Sequence, residues 1–419
     1  MKILIVGGGG REHTIAWKLV QSPLVDKLYC APGNGGISAL AECVNIAATD
    51  IDSVVKFVGD NDINLTVVAP DDPLVLGMVD ALEAKGFKAF GPRKNAAEIE
   101  GSKAFSKDLM KKYNIPTAKY ETFDNSGDAI AYVRTQSMPI VVKADGLALG
   151  KGVIIAQTVA EAEDAVRGMM DDGKFGNAGS RVVIEEFLTG PEVSVLAFTD
   201  GKTVCPMVSA QDHKRAYDGD KGLNTGGMGT FSPSRIYTGE LAEICMSTVF
   251  QPTVDAMNAE GRTFKGVLYF GLMLTADGIK VIEYNCRFGD PETQVVLPRL
   301  KSDLAEIMLA VIDEKLSDMQ IEWADNAAVC VVMASGGYPE SYEKGYAISG
   351  IANAENSGDI TVFHAGTAIK DGEIVTAGGR VLGVTAVADE LNAAIKSAYA
   401  GVDKIAFRDA HFRTDIGVK

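Results

Sequence analysis

The sequence has few of the residues that mark disulfide-linked or zinc-binding proteins. It contains six cysteines and four histidines in 419 residues, and no C-x-x-C pair occurs. Scattered cysteines in a chain of this length predict reduced, mostly buried thiols rather than a disulfide framework. A structural zinc site is not expected either, because the histidines lie far apart at positions 13, 213, 364 and 411.

Long apolar runs and excess basic charge are also missing. No run approaches the ~18–20 apolar residues that cross a bilayer, and the opening MKILIVGGGG lacks a signal-peptide cleavage site, so a strand is expected there. The net charge is −16, with 40 basic and 56 acidic residues. This balance disfavours nucleic acid and anionic membranes as partners. We therefore expect a cytoplasmic protein, and we expect it to be a monomer.

Two familiar phosphate-binding motifs are absent. No G-x-x-x-x-G-K-[ST] sequence occurs, so a Walker-type site is excluded. The first glycine loop also fails the dinucleotide pattern G-x-G-x-x-G, because Glu12 and His13 stand where its third glycine belongs. A helix that begins at this loop can still bind a phosphate through its amide groups. The alternative is a tight turn with only a structural role.

The order of strand and helix patterns along the chain predicts several domains. Short apolar runs at 2–6 and 65–69 are each followed by a Gly- or Pro-rich loop and a helix, which predicts a parallel sheet over about 1–95. A small α+β module is predicted within about 120–190, a β-hairpin at 266–285, and a strand-rich segment after Asp325. The fold class is therefore α/β and α+β in several domains.

The predicted strand at 139–143 ends in a lysine. The segment VVKADGLALGKGV places Lys143 at the strand end and a glycine-rich turn directly after it. Backbone amides of such a turn can close over a polyphosphate while the lysine supplies a point charge. A hairpin with surface lysines is the alternative.

Three polar residues alternate along the strand that ends at EYNCR. Period-two alternation places Glu283, Asn285 and Arg287 on one face, with Tyr284 on the other. A carboxylate, an amide oxygen and a guanidinium together suit a hard cation and an anionic substrate. A structural ion pair between Glu283 and Arg287 is the alternative. The acids Asp290 and Glu292 that follow could instead cap the next helix.

The loop between these segments is rich in glycine and polar groups. It reads QDHKRAYDGDKGLNTGGMG over 211–229. So many glycines cost backbone entropy, which suggests close approach of a ligand.

Taken together, these segments resemble the phosphoribosylamine–glycine ligase family of the ATP-grasp superfamily. The resemblance covers nearly the whole chain, and its most specific segments are NTGGMG and RFGDPETQ. Other matching segments are GGGGREH, PGNGG, VVKADGLALGKGV, EEFLTGPEVS and the ending HFRTDIG. The resemblance implies an N-terminal doubly wound parallel sheet at 1–101, an ATP-grasp body at 102–325 with a lid at about 120–190, and a small strand-rich C-terminal domain at 326–419.

The implied reaction joins glycine to 5-phosphoribosylamine while ATP is cleaved to ADP and phosphate, in de novo purine synthesis. Glycyl phosphate is the implied intermediate, and Mg²⁺ or Mn²⁺ the implied metal. Residues implied in ATP binding are Lys103, Lys143, Gly150, Lys151, Glu185, Glu186, Phe187, Leu188 and Glu192. Implied metal ligands are Glu283 and Asn285. Implied substrate-binding residues are Gly8, Gly9, Gly10, Asp212, Lys214, Thr225, Gly226, Gly227, Gly229 and Arg287, with Arg287, Asp212 and Lys143 the implied catalytic residues.

The sequence departs from the family pattern in three places. Pro70–Pro73 reads PDDP where relatives commonly have PEAP, Leu223 replaces a common proline, and the strand at 269–272 lacks an acid found in many ATP-grasp enzymes. Three other functions remain as alternatives: a ligase of the same class with different substrates, an NAD-binding oxidoreductase, and a nucleotide sensor without turnover.

Overall fold

The computed structural model describes residues 1–148 and 152–418, and a parallel sheet forms its N-terminal part. Its strands and helices are β1 (Lys2–Gly7), α1 (Gly10–Leu19), β2 (Lys27–Pro32), β3 (Glu42–Cys43), α2 (Ile51–Asp60), β4 (Leu65–Val68), α3 (Asp71–Leu76), α4 (Met78–Glu83) and β5 (Ala89–Phe90). The strand order is β3-β2-β1-β4-β5, and all pairs are parallel.

Both faces of this sheet are covered by helices. Leu4 and Val6 of β1 pack with Val54 of α2 on one face. Ile5 packs with Ile15 of α1 on the other. A parallel sheet whose strands are buried on both sides is the doubly wound arrangement that the sequence predicted.

A second sheet carries its own helices and its own core. The elements from residue 94 to 186 are α5 (Lys94–Gly101), α6 (Lys103–Lys112), β6 (Tyr120–Phe123), α7 (Ser126–Val133), β7 (Ile140–Ala144), β8 (Val153–Ala156), α8 (Val159–Met170) and β9 (Val182–Glu186). The antiparallel strands occur in the order β6-β9-β7-β8. The buried members of its core all lie between Ala129 and Ile184, so this lid sheet packs as a separate unit.

The body is a third, antiparallel sheet. The elements from 192 to 285 are β10 (Glu192–Thr199), β11 (Val204–Pro206), β12 (Gln211–Asp212), β13 (Arg215–Tyr217), β14 (Lys221–Asn224), β15 (Gly229–Ser232), α9 (Gly239–Cys245), α10 (Gln251–Ala259), β16 (Gly266–Thr275) and β17 (Gly278–Asn285). Strands β11-β10-β16-β17 form the body sheet, and β13 pairs only with β14. The expected hairpin at 266–285 is β16 and β17.

The C-terminal sheet takes strands from two distant parts of the chain. The remaining elements are α11 (Thr293–Val296), α12 (Leu304–Ile312), β18 (Ala327–Ala334), α13 (Ile351–Glu355), β19 (Ile360–His364), β20 (Thr367–Lys370), β21 (Glu373–Thr376), β22 (Arg380–Ala388) and α14 (Leu391–Val402). The antiparallel order is β12-β15-β18-β22-β19. Strands β12 and β15 thus belong to the sheet of the C-terminal segment.

The fold class is confirmed, and individual features agree with it. All six cysteines are free, and four of them are buried. Helix α12 begins at Leu304, because the Asp303 side chain caps it by accepting hydrogen bonds from two amides. No helix among the described residues is both long and apolar enough to span a bilayer.

Candidate active site

Two buried lysines share one buried carboxylate where the lid sheet meets α6. The Nζ atoms of Lys107 and Lys143 each lie 2.9 Å from an oxygen of Glu185. All three side chains are at most 6% exposed. Burial lowers the pKa of Lys107 to about 8, although Glu185 opposes the shift. Sequence reasoning assigned Lys107 no role; its spacing of four from Lys103 on one helix was the available signal.

Lys103 is held against the glycine turn that follows β7. Its Nζ donates to the carbonyl oxygen of Gly146 at 3.1 Å. Burial, together with the positive charge of Lys143, lowers the pKa of Lys103. Lys103 and Lys143 therefore lie close enough to interact, and their role in binding ATP phosphates stays a prediction. The predicted ligands Gly150 and Lys151 lie outside the described residues.

The segment EEFL leaves the lid sheet beside these lysines. Glu186 accepts hydrogen bonds from Lys280 Nζ and from the amide of Lys119, both at 3.1 Å. Phe187 is 37% exposed and Leu188 is half-buried. Glu192 starts β10 and pairs with Lys214 at 3.4 Å. Within EEFL, Glu185 is thus buried under two lysines, whereas Glu186 and Leu188 are half-buried and Phe187 is exposed.

The end of β17 brings together the predicted metal ligands. Tyr284 points to the opposite face, where it is buried and 2.9 Å from the Thr253 hydroxyl. Glu283 lies 3.3 Å from Lys214 Nζ, and chiefly because of that lysine its pKa falls to about 2. Asn285 Oδ1 lies 3.5 Å from Arg287 Nη2.

Arg287 pairs with a buried acid from another helix. Its Nη2 lies 2.8 Å from Glu100 Oε1, and the amide of Cys286 donates to the same carboxylate at 2.7 Å. The ion pair considered between Glu283 and Arg287 is not formed in the described part of the chain, since each has a different partner. Glu100 was missed, because nothing in its local sequence distinguishes it from a surface acid.

The donor set at β17 fits a hard cation. Glu283 is an ionised carboxylate and Asn285 offers an amide oxygen, which are the ligand types that Mg²⁺ and Mn²⁺ accept. Within residues 1–148 and 152–418, no group of three His, Cys, Asp or Glu side chains is arranged to hold a metal. The end of β17 therefore offers two oxygen donors of the required kind, and their role as metal ligands stays a prediction.

A half-buried carboxylate, Asp212, and a buried one, Glu292, lie at the other end of the site. Asp212 Oδ1 is buried and has no hydrogen-bond partner, and burial followed by the nearby Glu292 carboxylate raises the pKa of Asp212 well above its ordinary value. Glu292 accepts a hydrogen bond from Tyr269 at 3.1 Å. Its side chain does not cap α11, so the capping alternative is wrong for Glu292.

The glycine loop after β14 lies against these acids. The hydroxyl of Thr225 donates to the carbonyl of Lys214 at 2.9 Å and accepts from the amide of Gly227 at 3.0 Å. Gly227 has φ +112°, and a Cβ there would lie 2.5 Å from Pro291 Cδ and 2.8 Å from Asp212 Oδ1. Only glycine fits both the backbone conformation and the space.

Residues of the C-terminal segment hold this loop, and the sequence did not reveal them. Arg380 Nη1 donates to the carbonyl of Gly226 at 2.6 Å and to that of Asp290 at 2.7 Å. The Tyr338 hydroxyl accepts from the amide of Gly226 at 3.1 Å. The Asp290 carboxylate accepts from Gln294 Nε2 of α11 at 2.8 Å and lies 3.5 Å from Arg380, so this acid joins α11 to the C-terminal segment.

The first glycine loop has its amide groups engaged by carboxylates. The amide of Gly9 donates to Glu12 Oε2 at 2.6 Å, and that of Arg11 approaches Asp290 Oδ2 at 3.4 Å. A Cβ at Gly8 would lie 2.4 Å from the carbonyl oxygen of Gly33. The loop is thus packed tightly against the second glycine loop. The phosphate role of Gly8, Gly9 and Gly10 stays a prediction.

Comparison with known proteins decides the family. Models of the N, ATP-grasp (A) and C domains of phosphoribosylglycinamide synthetase match residues 1–100, 101–293 and 328–419. The chain belongs to the phosphoribosylglycinamide synthetase family. It is an ATP-dependent carboxylate–amine ligase of the ATP-grasp class. The family resemblance inferred from the motifs is therefore confirmed, and the oxidoreductase alternative is excluded.

The alignments with relatives extend over the whole chain. It is 52% identical to phosphoribosylamine–glycine ligase of Halalkalibacterium halodurans, over 100% of this chain and 97% of that protein. It is 51% identical to that of Haemophilus influenzae, over 100% and 98%. The crystal structure of the Thermotoga maritima ligase matches with a TM-score of 0.87 and 32% identity over 100% of both chains. A Campylobacter jejuni biotin carboxylase shares the fold at 13% identity, with a TM-score of 0.75 over 98% and 92%.

Proposed function

We propose that the chain ligates glycine to 5-phosphoribosylamine, converting ATP to ADP and phosphate, in de novo purine synthesis. The observation that carries this proposal is one connected row of charges across the site. It runs from the Lys107–Glu185–Lys143 network to Glu283, whose pKa both Lys214 and Lys143 lower, and from Lys214 on to Asp212 and Glu292. A nucleotide polyphosphate suits the first end and an amino acid suits the second. The relatives' shared name supplies the substrates.

At the nucleotide end, Lys103 and Lys143 would bind ATP phosphates. The backbone of Glu185, Glu186, Phe187 and Leu188 would hold adenine, and Glu192 would hold the ribose. The lid at about 120–190 would close over the nucleotide with the turn that contains Gly150 and Lys151. Its separate core supports a rigid-body motion of this kind, and closure would exclude water from a reactive intermediate.

Glu283 and Asn285 would hold Mg²⁺ or Mn²⁺. When bound, the cation offsets negative charge on the ATP phosphates and orients them. Lys214 pairs with Glu283 and keeps this carboxylate ionised across the physiological range, which maintains its capacity as a ligand.

The first chemical step would form glycyl phosphate. A carboxylate oxygen of glycine attacks the γ-phosphorus, the bond to the β-phosphate oxygen breaks, and ADP leaves. The Arg287 guanidinium would face the negative charge of the transferring group, and Lys143 the phosphate oxygens. Glu100 holds the guanidinium from its other side, so the arginine is oriented before substrate arrives.

The second step would form the amide. The amine of phosphoribosylamine attacks the acyl carbon, the C–O bond to phosphate breaks, and the nitrogen loses a proton. Asp212, with an unpartnered buried oxygen, would bind an amino group of the substrates. Lys214, Thr225, Gly226, Gly227 and Gly229 would orient glycine and the sugar, and Gly8, Gly9 and Gly10 would meet the sugar phosphate. Positioning of this kind supplies much of the acceleration for such an attack.

We propose further a cytoplasmic location, a monomeric state, and domain limits near residues 101 and 325. Free cysteines throughout the described chain suit a reducing compartment.

The test is ADP release by the purified full chain with ATP, Mg²⁺, glycine and freshly prepared phosphoribosylamine. We expect release only when all four are present. ADP formation that does not depend on glycine or on the amine would contradict the proposal. Replacing glycine or the amine by analogues separates it from a ligase with other substrates, and ATP binding without turnover would identify a sensor.

A further inference from the structure

The last residues of the described chain lie across the loop that carries the acceptor-binding residues. We define the acceptor loop as residues 211–229 and the tail as residues 411–417. His411 Nε2 is 2.8 Å from the carbonyl oxygen of Ala216. The amide of Thr414 donates to Asp218 Oδ1 at 2.8 Å, and that of Gly219 donates to Asp415 Oδ2 at 2.9 Å. The tail thus contacts β13 and the turn of the β13–β14 hairpin.

Arg413 is the centre of these contacts. Its side chain is 0% exposed. Nε and Nη2 each lie 2.7 Å from a carboxylate oxygen of Asp415. Nη1 donates to the carbonyl of Arg215 at 3.1 Å and lies 3.0 Å from Asp220. The planar guanidinium can satisfy these partners together, whereas an ammonium cannot.

Within the described residues, the hairpin belongs to no larger sheet. Strands β13 and β14 pair only with each other, and their register is irregular between Arg215 and Tyr217. Residues 217–223 are all exposed. A two-stranded hairpin without a packed face is marginally stable by itself in water. Its conformation therefore depends on the tail.

The tail also reaches the two ends of the hairpin, where the proposed site begins. The amide of Gly417 approaches His213 Nε2 at 3.4 Å, and His213 lies between Asp212 and Lys214. At the other end, Ile416 packs against Gly229, where a Cβ would lie 2.8 Å from its side chain. The tail thus borders both segments that hold proposed substrate-binding residues.

We propose that the tail, chiefly through Arg413, positions the acceptor loop for binding glycine and phosphoribosylamine. This inference rests on the proposed function. Arg413 is a positioning residue, because its fully buried guanidinium faces the hairpin and cannot touch a substrate. The segment HFRTDIG is then part of the machinery for the acceptor substrates, while ATP binding does not depend on it.

The first test compares steady-state constants of Arg413→Ala and Arg413→Lys with those of Arg408→Ala. Arg408 lies just before the tail, is 69% exposed, and contacts Asp409 and the Tyr346 ring but not the acceptor loop in any described contact. We expect Arg413→Ala to lower kcat/KM for glycine and for phosphoribosylamine by about 10- to 100-fold, with KM for ATP within twofold of wild type. Arg413→Lys should give a smaller loss, and Arg408→Ala none. Equal effects on ATP and on glycine would overturn the inference.

The second test is amide hydrogen exchange, which does not require activity. In Arg413→Ala, exchange should rise within 213–224 and remain unchanged in the lid sheet and in the N-terminal sheet. A uniform rise that includes β18 and β22 would indicate a general loss of stability and overturn the inference. Should Arg413→Ala fail to fold, Arg413→Lys carries both measurements. If wild type shows no glycine-dependent ADP release, the proposed function fails, while exchange still reports on the tail.

Discussion

The two ends of the site are held by different kinds of interaction. At the nucleotide end, defined by Lys103, Lys107, Lys143 and Glu185, side-chain charges join α6 to a lid sheet that has its own core. At the acceptor end, Arg380 and Tyr338 bond to backbone atoms of the glycine loop. The nucleotide end is therefore held by a few charge contacts between separately packed units. The acceptor end is held by many hydrogen bonds between loops.

This difference suits the steps that we propose for each end. A unit with its own core can move as a body when a few charge contacts rearrange around ATP. The acceptor end must instead keep two small substrates in register while an acyl phosphate is attacked. Side chains of a separate segment that bond to the loop backbone fix the loop without occupying the space in which substrates bind.

Among the variants considered, Glu185→Gln should give the largest difference between effects on ATP and effects on glycine. The change leaves Lys107 and Lys143 buried without a counter-charge, which costs about 3–5 kcal/mol of folding free energy. KM for ATP should rise while KM for glycine stays near the wild-type value. Urea unfolding and steady-state kinetics measure these effects. The control is Glu186→Gln, a neighbour that is 34% exposed and should cost less than about 1 kcal/mol. Equal losses in both variants would refute the role of the buried network.

Arg287 lies between the nucleotide end and the acceptor end. Arg287→Ala should lower turnover by about 10²–10³-fold. Loss of stability should be limited, because burial already raises the pKa of Glu100 and this carboxyl can take up a proton when its partner is gone. ADP release under saturating substrates measures turnover, and thermal unfolding checks the fold. Arg287→Lys should recover part of the rate. An unchanged rate in Arg287→Ala would remove this residue from the mechanism.

His364→Asn tests the contact between the second glycine loop and β19 of the C-terminal sheet, where a Cβ at Gly36 would lie 2.3 Å from His364 Cγ. Burial lowers the pKa of His364 from 6.5 to about 4. Between these values the unfolded chain binds more protons, so stability falls with falling pH, by about 3 kcal/mol from this residue. Unfolding free energies from pH 7 to 4.5 should fall less steeply in the variant than in wild type. Parallel curves would contradict this.

Tyr338→Phe should have the smallest effect. It removes one hydrogen bond to the amide of Gly226, worth about 1 kcal/mol, and should raise KM for glycine by about fivefold with KM for ATP unchanged. Tyr342→Phe is the matched control, since its ring lies 6.3 Å from that of Tyr338. If both variants have the same glycine KM, Tyr338 does not hold the loop.

Sequence patterns revealed those parts of the site that lie within a single segment. Alternation along β17 separated Glu283 and Asn285 from Tyr284, because a strand repeats every two residues. The strand that carries Lys143 was also identified correctly, since β7 spans Ile140–Ala144. These features depend on local geometry, which a short stretch of sequence determines.

The remaining contacts depend on which distant segments pack together. Arg380 meets Gly226 across a separation of 154 residues, and Arg287 meets Glu100 across 187. Neither Arg380 nor Glu100 differs locally from a surface charge. Only tertiary packing buries them beside their partners, and no periodicity in the sequence reports such packing.

The mixed origin of the C-terminal sheet limits how the chain can be cut. β15 covers one edge of β18, with Gly229–Ser232 paired to Ala328–Val331. A fragment beginning near residue 327 would lack that neighbour and expose the hydrogen-bonding edge of a fully buried apolar strand. Such an edge favours self-association. The segment 327–418 is therefore expected to aggregate when expressed alone, and to stay dispersed when 211–232 is supplied with it.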